Sequence, residues 1–336
     1  MTESSANTPS GSPASPPFGE GVLRDFSRFD ERPFVHNALD DLISMTSLES
    51  GVHTVNIQDG FFDFMYRRRK SRALLVFFHG AMRKEVTFPI FSGLGIGHSL
   101  RASRLLFSDM TLHVDRKMRL GWYLGKKNYC YSDDIVSIIN WVVKTHGYRR
   151  IILVGGSGGG HAALKISRRI AKSIAFVWNP QNDIGKYYWP PVEKVSSVIF
   201  DNPDLYSVPD GDRAKFQTCL SDVYRGGSQD NFIVYLQNFS DTMHLEQHAS
   251  SFYQSMVGVE RNLEVGSYKM NNKAILIVGD WADGHVGPPR GAMTEILYAL
   301  VERSANIADM FLNDSVTSIV NDSLSKASMF SEEIVK

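Results

Sequence analysis

The stretch IILVGGSGGGHAAL, residues 151–164, decides how this chain folds. Its first four residues are apolar without alternation, which is typical of a strand covered on both faces. Its last four begin an alanine-rich segment typical of a helix. Five glycines surround Ser157 at the junction. The stretch therefore predicts a buried strand that turns sharply into a helix at Ser157.

Five more short apolar runs repeat the strand pattern along the chain. They are ALLVFF (73–78), RLLF (104–107), IAFVW (174–178), FIVYL (232–236) and AILIVG (274–279). Longer segments separate most of them, so a mostly parallel sheet with helices on both faces is expected. Before these runs, residues 53–70 alternate around Asp59-Gly60, which predicts a hairpin at the edge of the sheet.

The domain limits follow from composition. Residues 1–20 are rich in Ser, Pro and Gly and are expected to be disordered. Residues 21–313 form the predicted α/β domain, and residues 314–336 are expected to be a C-terminal tail. Within the domain, residues 180–230 are too long for a simple crossover and predict a lid-like insertion.

Composition excludes several classes of function. The chain has 336 residues, and its 36 Lys and Arg balance its 36 Asp and Glu, so it has no net charge that would attract nucleic acid. Cys130 and Cys219 are far apart, which indicates neither a disulfide framework nor a zinc site. No signal-peptide pattern and no apolar run of ~20 residues is present. A cytoplasmic protein without a membrane span is expected, and the sequence does not indicate its oligomeric state.

Three glycine-rich motifs could explain the opening stretch. A phosphate-binding P-loop needs Lys after its last glycine, but His161 follows Gly160. A dinucleotide site needs an acidic residue at the end of the next strand, where IAFVW is followed by Asn179. The third motif, G-x-S-x-G, matches residues 155–159 and would present Ser157 as an exposed nucleophile. The remaining alternative is a plain glycine-rich turn with Ser157 as a helix cap.

A serine hydroxyl is a weak nucleophile near neutral pH and needs a base. The segment AILIVGDWADGHVGPP, residues 274–289, places His285 in a loop after the last apolar run. In proteins with this serine motif, the chain order is nucleophile, acid and then histidine. His285 is therefore the candidate base, unless it is a loop histidine without a catalytic role.

Several aspartates could be the acid that orients the base. Asp241 follows the run before His285 and is the preferred candidate, although Ser240 or Asp241 could simply cap the next helix. Asp183 is the main rival, and Asp280 or Asp283 are further alternatives. The spacing of His244, Glu246 and His248 is not HExxH, so no metal and no organic cofactor are expected.

The negative charge formed during acyl transfer needs at least two hydrogen-bond donors. One candidate is the backbone N–H of Gly158, next after Ser157. The segment FFHGAMR, residues 77–83, ends a predicted strand, and the N–H of Ala81 is the second candidate, with Met82 as the alternative.

With HGA, GGSGG and DGH in this order between apolar runs, the chain resembles the α/β-hydrolase superfamily over residues 54–303. The resemblance implies covalent acyl transfer through Ser157, His285 and Asp241. It implies a carboxylesterase-like serine hydrolase of a small-molecule or glycan acyl substrate, or an acyltransferase that transfers an O-acetyl or other acyl group to a sugar hydroxyl. A binding or scaffold protein that keeps this fold without turnover is the other alternative.

A second similarity concerns residues 235–252, YLQNFSDTMHLEQHASSF. They are similar to bacterial hydrolase-like proteins associated with surface-polysaccharide or accessory-secretion gene sets. The aromatic residues Tyr187, Tyr188 and Trp189 in the insertion are candidates for a substrate pocket. They could equally form the core of a lid.

Overall fold

The computed structural model describes residues 24–334, except residues 30, 58–59, 83–86, 97–99, 116 and 304–305. The predicted tail over residues 1–20 and the turn residue Asp59 lie outside the described part of the chain.

Twelve strands occur among the described residues. They are β1 (Phe34–His36), β2 (Gly51–Ile57), β3 (Gly60–Arg67), β4 (Ala73–Phe78), β5 (Ser103–Phe107), β6 (Gly125–Lys126), β7 (Tyr129–Cys130), β8 (Arg150–Gly156), β9 (Ile174–Trp178), β10 (Phe232–Asn238), β11 (Gly266–Asn271) and β12 (Ala274–Gly279). All six predicted apolar runs are strands, because an uninterrupted apolar run is stable only where both faces of the strand are covered.

Ten of these strands form one sheet in the order β1-β2-β3-β5-β4-β8-β9-β10-β12-β11. Neighbours from β5 through β4, β8, β9 and β10 to β12 are parallel. The hairpin of β2 and β3 is antiparallel, as predicted, with Ile57 opposite Gly60. Its predicted place at the edge is wrong, since β1 pairs with β2 on the outside.

Eleven α-helices accompany the strands in the described residues. They are α1 (Leu39–Ile43), α2 (Ser132–His146), α3 (Ser157–Ser167), α4 (Trp189–Phe200), α5 (Asp210–Phe216), α6 (Leu220–Val223), α7 (Thr242–His244), α8 (Ser251–Val257), α9 (Arg290–Glu302), α10 (Ile307–Leu312) and α11 (Ser315–Ile334). A π-helical turn, Leu245–Ser250, joins α7 to α8. No helix among the described residues combines the length and the apolar character needed to span a bilayer.

The two faces of the sheet have separate hydrophobic cores. Along β8, Leu153 packs into one core with residues of α2 and α3, whereas Val154 packs into the other with residues of α9 and α11. This alternation is the consequence of the two-residue period of a strand. The mostly parallel sheet covered by helices on both faces confirms the predicted α/β class of fold.

Two segments extend this framework. The insertion between β9 and β10 contains α4, α5 and α6, and its Val192 and Val195 share a third core with Leu120 and Trp122. The C-terminal segment, which the sequence suggested was a tail, contains α11, and Val316 of this helix is buried in the second core. The domain limits and the role of the insertion as a lid stay predictions.

The topology brings three chain segments to one edge of the sheet. Strands β8, β10 and β12 are parallel members of one sheet, so their carboxyl ends lie along the same edge. Ser157 follows β8, Asp241 follows β10 and His285 follows β12. The edge after these strands is therefore where a site can form.

Candidate active site

Ser157 lies at the abrupt junction of β8 and α3. Its φ is +54°, a left-handed backbone conformation that is uncommon for residues other than glycine. Such a conformation costs about 1–3 kcal/mol and persists only where the surroundings impose it. The sharp turn leaves the serine half-buried at the carboxyl edge of the sheet.

The flanking glycines are needed because backbone approaches backbone at this junction. A Cβ at Gly155 would lie 2.2 Å from the Gly159 carbonyl oxygen, and one at Gly159 would lie 2.4 Å from that of Phe78. Both distances are too short for any real Cβ contact. The crowding expected from the G-x-S-x-G motif is thus present where strand and helix meet.

This crowding predicts a large stability effect. Replacing Gly159 by alanine is expected to lower the free energy of unfolding by about 1–3 kcal/mol, because backbone atoms must move to admit the methyl group. Urea unfolding measures the change. The matched control is Gly211→Ala in α5, where nothing lies within 4 Å of the added methyl group. The control should leave stability unchanged or raise it by up to about 1 kcal/mol, and equal losses in both variants would contradict the prediction.

The segment after β4 lies beside the serine and supplies one candidate oxyanion donor. A Cβ at Gly80 would be 3.5 Å from the Cβ of Ser157. The N–H of Met82 donates to the carbonyl of Arg119 at 2.8 Å, so this alternative donor is already used. Ala81 is exposed and its N–H has no hydrogen bond within the described chain. Ala81 therefore remains the candidate from this segment.

The second candidate donor is in the first turn of α3. The first N–H groups of a helix have no carbonyl partner inside it, and the N–H of Gly158 is one of them. A Cβ at Gly158 would lie 2.4 Å from Leu120, so the backbone here is closely covered. Both candidate donors thus flank the serine.

Asp241 and His285 form a direct contact. The distance between Asp241 Oδ2 and His285 Nδ1 is 2.5 Å, with the carboxylate buried and the imidazole side chain 39% exposed. Asp241 occupies the N-cap position of α7, but its side chain does not cap the helix. The rival Asp183 instead accepts from the N–H of Gly185 at 3.0 Å. The geometry favours Asp241 as the partner of His285.

The two further alternatives for the acid have other surroundings. Asp280 accepts from the Ser240 hydroxyl at 2.7 Å, and Asp283 is exposed. Neither forms a hydrogen bond with His285 in the described part of the chain.

A second histidine, not anticipated from the sequence, shares the carboxylate. The Nδ1 of buried His244 lies 2.9 Å from Asp241 Oδ1, and its ring stacks on His285 with centroids 4.1 Å apart. Burial raises the pKa of Asp241, but the hydrogen bonds from His244 and His285 outweigh it and hold the pKa well below its usual range. In the sequence, the i, i+3 spacing of Asp241 and His244 at the start of a predicted helix was the signal that could have indicated this contact.

Burial keeps His244 itself uncharged. It lowers the pKa of His244, and the hydrogen bond to Asp241 only partly offsets this effect. A neutral His244 donates its Nδ1 proton to the carboxylate. Asp241 thus accepts a hydrogen bond on each of its oxygens.

Two asparagines hold the loop that carries His285. The Nδ2 of Asn238 donates to the carbonyls of Ala282 and Gly284 at 2.6 and 2.7 Å. The Nδ2 of Asn179 donates to the Val286 carbonyl at 2.8 Å. The backbone on both sides of His285 is thereby tied to the ends of β9 and β10.

The indole of Trp178 connects this loop to the serine turn. A Cβ at Gly156 or at Gly287 would lie 2.1 or 2.8 Å from the same atom, Trp178 Nε1. Because Gly156 and Gly287 have no side chain, the backbone at both positions can lie close to the indole of Trp178. Sequence reasoning did not identify Trp178, because it ends an ordinary apolar run.

The Ser157 hydroxyl has its own partner, which is not the histidine. Gln181 Nε2 donates to Ser157 Oγ at 2.9 Å, and Gln181 is fully buried. No hydrogen bond joins Ser157 Oγ to His285, both of which are among the described residues. Gln181 follows β9 in the sequence NPQND and carries no periodic signal that would single it out.

The three aromatic candidates of the insertion differ in their surroundings. Tyr187 is half-buried, with its ring centroid 5.9 Å from that of His244 and 6.0 Å from that of Trp122. Tyr188 packs on Tyr187 at 4.9 Å and is 59% exposed, and Trp189 begins α4 with 52% exposure. Burial raises the pKa of Tyr187, and Tyr188 adds to the rise. Tyr187 therefore lies beside the ring of His244.

Among the described residues, one cluster of side chains could hold a metal ion. Asp241, His244 and His285 each offer a ligand atom, and these atoms lie within 4.8 Å of one another. In the structure the same three groups are already joined by hydrogen bonds. An ion bound through the two Nδ1 atoms would take the place of these hydrogen bonds, because a nitrogen that binds a metal carries no proton.

Neither a known family model nor a curated protein matches this sequence. Solved structures with similar folds include a glycosylation-associated protein complex (Gap123) from Streptococcus agalactiae, with 14% identity and a TM-score of 0.48. That match covers 69% of this chain and 42% of the other. The capsule O-acetyltransferase of Neisseria meningitidis serogroup A matches 79% of this chain and 96% of its own, with 14% identity and a TM-score of 0.45.

A third similar structure is prolyl oligopeptidase B from Galerina marginata, with 13% identity and a TM-score of 0.47. The match covers 83% of this chain but only 36% of the oligopeptidase. This chain therefore spans less than half of two of these three proteins. The chemistry proposed below is therefore argued from the residues of this chain and not from these proteins.

Proposed function

We propose that this chain is a serine hydrolase that cleaves an ester or related acyl bond through an acyl-enzyme on Ser157. The observation that carries the proposal is the 2.5 Å contact between Asp241 and His285 at the sheet edge that also bears Ser157. A buried acid, an accessible imidazole and a serine in a strained turn are the three components that serine-based acyl transfer needs.

In the first half of the reaction, Ser157 Oγ attacks the carbonyl carbon of the substrate. His285 takes the hydroxyl proton on Nε2, since its Nδ1 faces Asp241, and then gives that proton to the leaving oxygen. The carboxylate stabilises the imidazolium formed between these two transfers. The low pKa of Asp241 supports this role, because the carboxylate stays ionised.

The negative charge on the substrate oxygen needs donors that are already in place. The N–H groups of Gly158 and Ala81 are the proposed pair. Donors that are oriented before the reaction need no rearrangement when the charge develops. In a serine protease, removal of one such donor raises the reaction barrier by about 2.7–4 kcal/mol.

In the second half, water attacks the acyl-enzyme, with His285 now acting as the base. Catalytic hydrogen bonds often tighten only when substrate binds, so the contact between Ser157 and His285 is expected to form at that stage. The residues near the site that could contact an acyl or sugar group are Tyr187, Tyr188 and Trp189. If a sugar hydroxyl replaced water as the acceptor, Ser157, His285 and Asp241 would transfer the acyl group to the sugar.

A fluorophosphonate probe, which reacts with activated serines, tests the proposal. We expect it to label the wild-type protein at Ser157, as located by mass spectrometry of the labelled peptide, and to leave Ser157→Ala unlabelled. Ser255→Ala is the matched control and should be labelled like the wild type. If the wild type is not labelled, the chain is not a serine enzyme and a binding protein with this fold becomes the better explanation. Equal labelling of Ser157→Ala would show that Ser157 is not the nucleophile and would overturn the proposal.

The acceptor is tested separately with a short-chain acyl ester. Release of free acid at a rate unaffected by an added sugar supports hydrolysis. Appearance of acylated sugar at the expense of free acid supports the transferase alternative.

A further inference from the structure

Gln181 contacts the reacting atom of the proposed nucleophile, yet the acyl-transfer mechanism above does not use it. Its side-chain nitrogen Nε2 lies 2.9 Å from Ser157 Oγ. We propose that Gln181 is a further catalytic residue, which donates a hydrogen bond to Ser157 Oγ and stabilises the charge that this oxygen carries when its bonds form and break. The inference rests on the proposed function of Ser157.

The orientation of the Gln181 amide follows from a second neighbour, Trp122. Trp122 Nε1 lies 2.7 Å from the end of the Gln181 side chain, and an indole N–H can only donate. The atom that faces Trp122 must therefore be the oxygen Oε1. The NH₂ group consequently faces Ser157.

The remaining contacts prevent Gln181 from turning away. Its backbone carbonyl lies 2.7 Å from Nδ1 of His161, and its backbone N–H donates to the Ser157 carbonyl at 3.4 Å. Gln181, Trp122 and His161 are all fully buried. Rotating the amide by half a turn would leave the indole N–H unpaired, at a cost of about 1–3 kcal/mol.

This arrangement affects the proton of Ser157. A hydroxyl has one hydrogen to donate and lone pairs to accept. Because Oγ accepts from Gln181, its own hydrogen is not needed for that contact and can be given to His285. Gln181 therefore occupies one acceptor position of the nucleophile without competing for its proton.

The hydrogen bond becomes stronger as the reaction proceeds. During attack the O–H bond of Ser157 breaks, its proton passes to His285 Nε2, and the electron pair of Oγ forms the bond to the carbonyl carbon. During release of the acyl group that bond breaks, the electron pair returns to Oγ, and His285 returns the proton. Oγ carries partial negative charge in both steps, and a hydrogen bond to a charged oxygen is stronger than one to a neutral oxygen. Stabilisation that is larger in the transition state raises kcat.

Gln181→Glu tests the proposal with almost unchanged shape. The carboxylate still accepts from Trp122 but has no N–H for Ser157. Loss of one oriented donor is expected to lower kcat on the order of 10²-fold with little change in KM. The matched control is Gln229→Glu, which makes the same change in another buried glutamine near the amino end of β10, and it should leave kcat unchanged.

The pH dependence separates a catalytic from a structural role. Burial raises the pKa of a carboxyl, so acidification adds a proton to the substituted side chain and restores an O–H donor near Ser157. The activity of Gln181→Glu relative to the wild type is therefore expected to rise as the pH falls. A purely structural defect would give a constant ratio. If this variant does not fold, Gln181→Met provides the same loss of the donor without a charge.

The outcomes distinguish this inference from the proposed function. If the fluorophosphonate labels wild-type Ser157 and both Gln181 variants turn over ester at the wild-type rate, the role of Gln181 is wrong and that of Ser157 stands. If wild-type Ser157 is not labelled, both are wrong. Gln181 is supported as a catalytic residue if wild-type Ser157 is labelled, the Gln181 variants are slow, and the activity of Gln181→Glu relative to the wild type rises as the pH falls.

Discussion

Replacing Asp241 by asparagine is expected to lower kcat on the order of 10⁴-fold, as loss of the carboxylate does in a serine enzyme with intact geometry. Both oxygens of Asp241 accept hydrogen bonds, from His285 and from His244. Asparagine has only one oxygen, and its NH₂ would force one of the histidines to place its proton on Nε2. If that histidine is His285, its Nε2 can no longer act as the base. Steady-state kinetics with the acyl ester that the wild type cleaves fastest measures the effect.

Asp183→Asn is the matched control for this experiment. It makes the same chemical change at the rival acid, whose carboxylate accepts from a backbone N–H rather than from a histidine. Little change in kcat is expected. A larger loss in Asp183→Asn than in Asp241→Asn would show that the acid is assigned to the wrong residue.

Replacing His285 by alanine is expected to lower kcat on the order of 10³-fold or more, because Ser157 then has no base to accept its proton. The side chain of His285 is 39% exposed, so imidazole added to the solution can reach the space that the substitution leaves. Partial recovery of kcat with imidazole is therefore expected. Progress of ester cleavage with and without imidazole measures both effects.

The control for this variant is His146→Ala, which removes a half-buried histidine that accepts from the N–H of Leu48. It should change kcat little and show no response to imidazole. A His285→Ala variant that retained near wild-type kcat would contradict the assignment of the base.

The strands were predictable because their signals are local. An apolar run without alternation needs cover on both faces, and the runs at residues 73–78 and 274–279 are β4 and β12 as predicted. The hairpin was also local, since its two strands adjoin in sequence. The position of the hairpin in the sheet was not predictable from local signals, because the short strand β1 that pairs with it comes from an earlier part of the chain.

The candidate site also combines features that neighbouring residues determine with features that distant segments determine. The glycines around Ser157 indicated a sharp turn, since only a close backbone approach requires them at residues 155 and 159. The preference for Asp241 rested on loop order alone, and Asp183 remained open. The distances now favour Asp241, and the catalytic roles themselves stay predictions.

By itself, the sequence determined the fold class and the sharp turn at Ser157, because apolar periodicity and glycine act through neighbouring residues. The tertiary structure alone decided which side chains meet. His244 reaches the free oxygen of Asp241, and Gln181 reaches Ser157 because Trp122, from a distant segment, orients its amide. These contacts depend on the strand order and on side-chain conformations set by packing, neither of which leaves a periodic pattern in the chain.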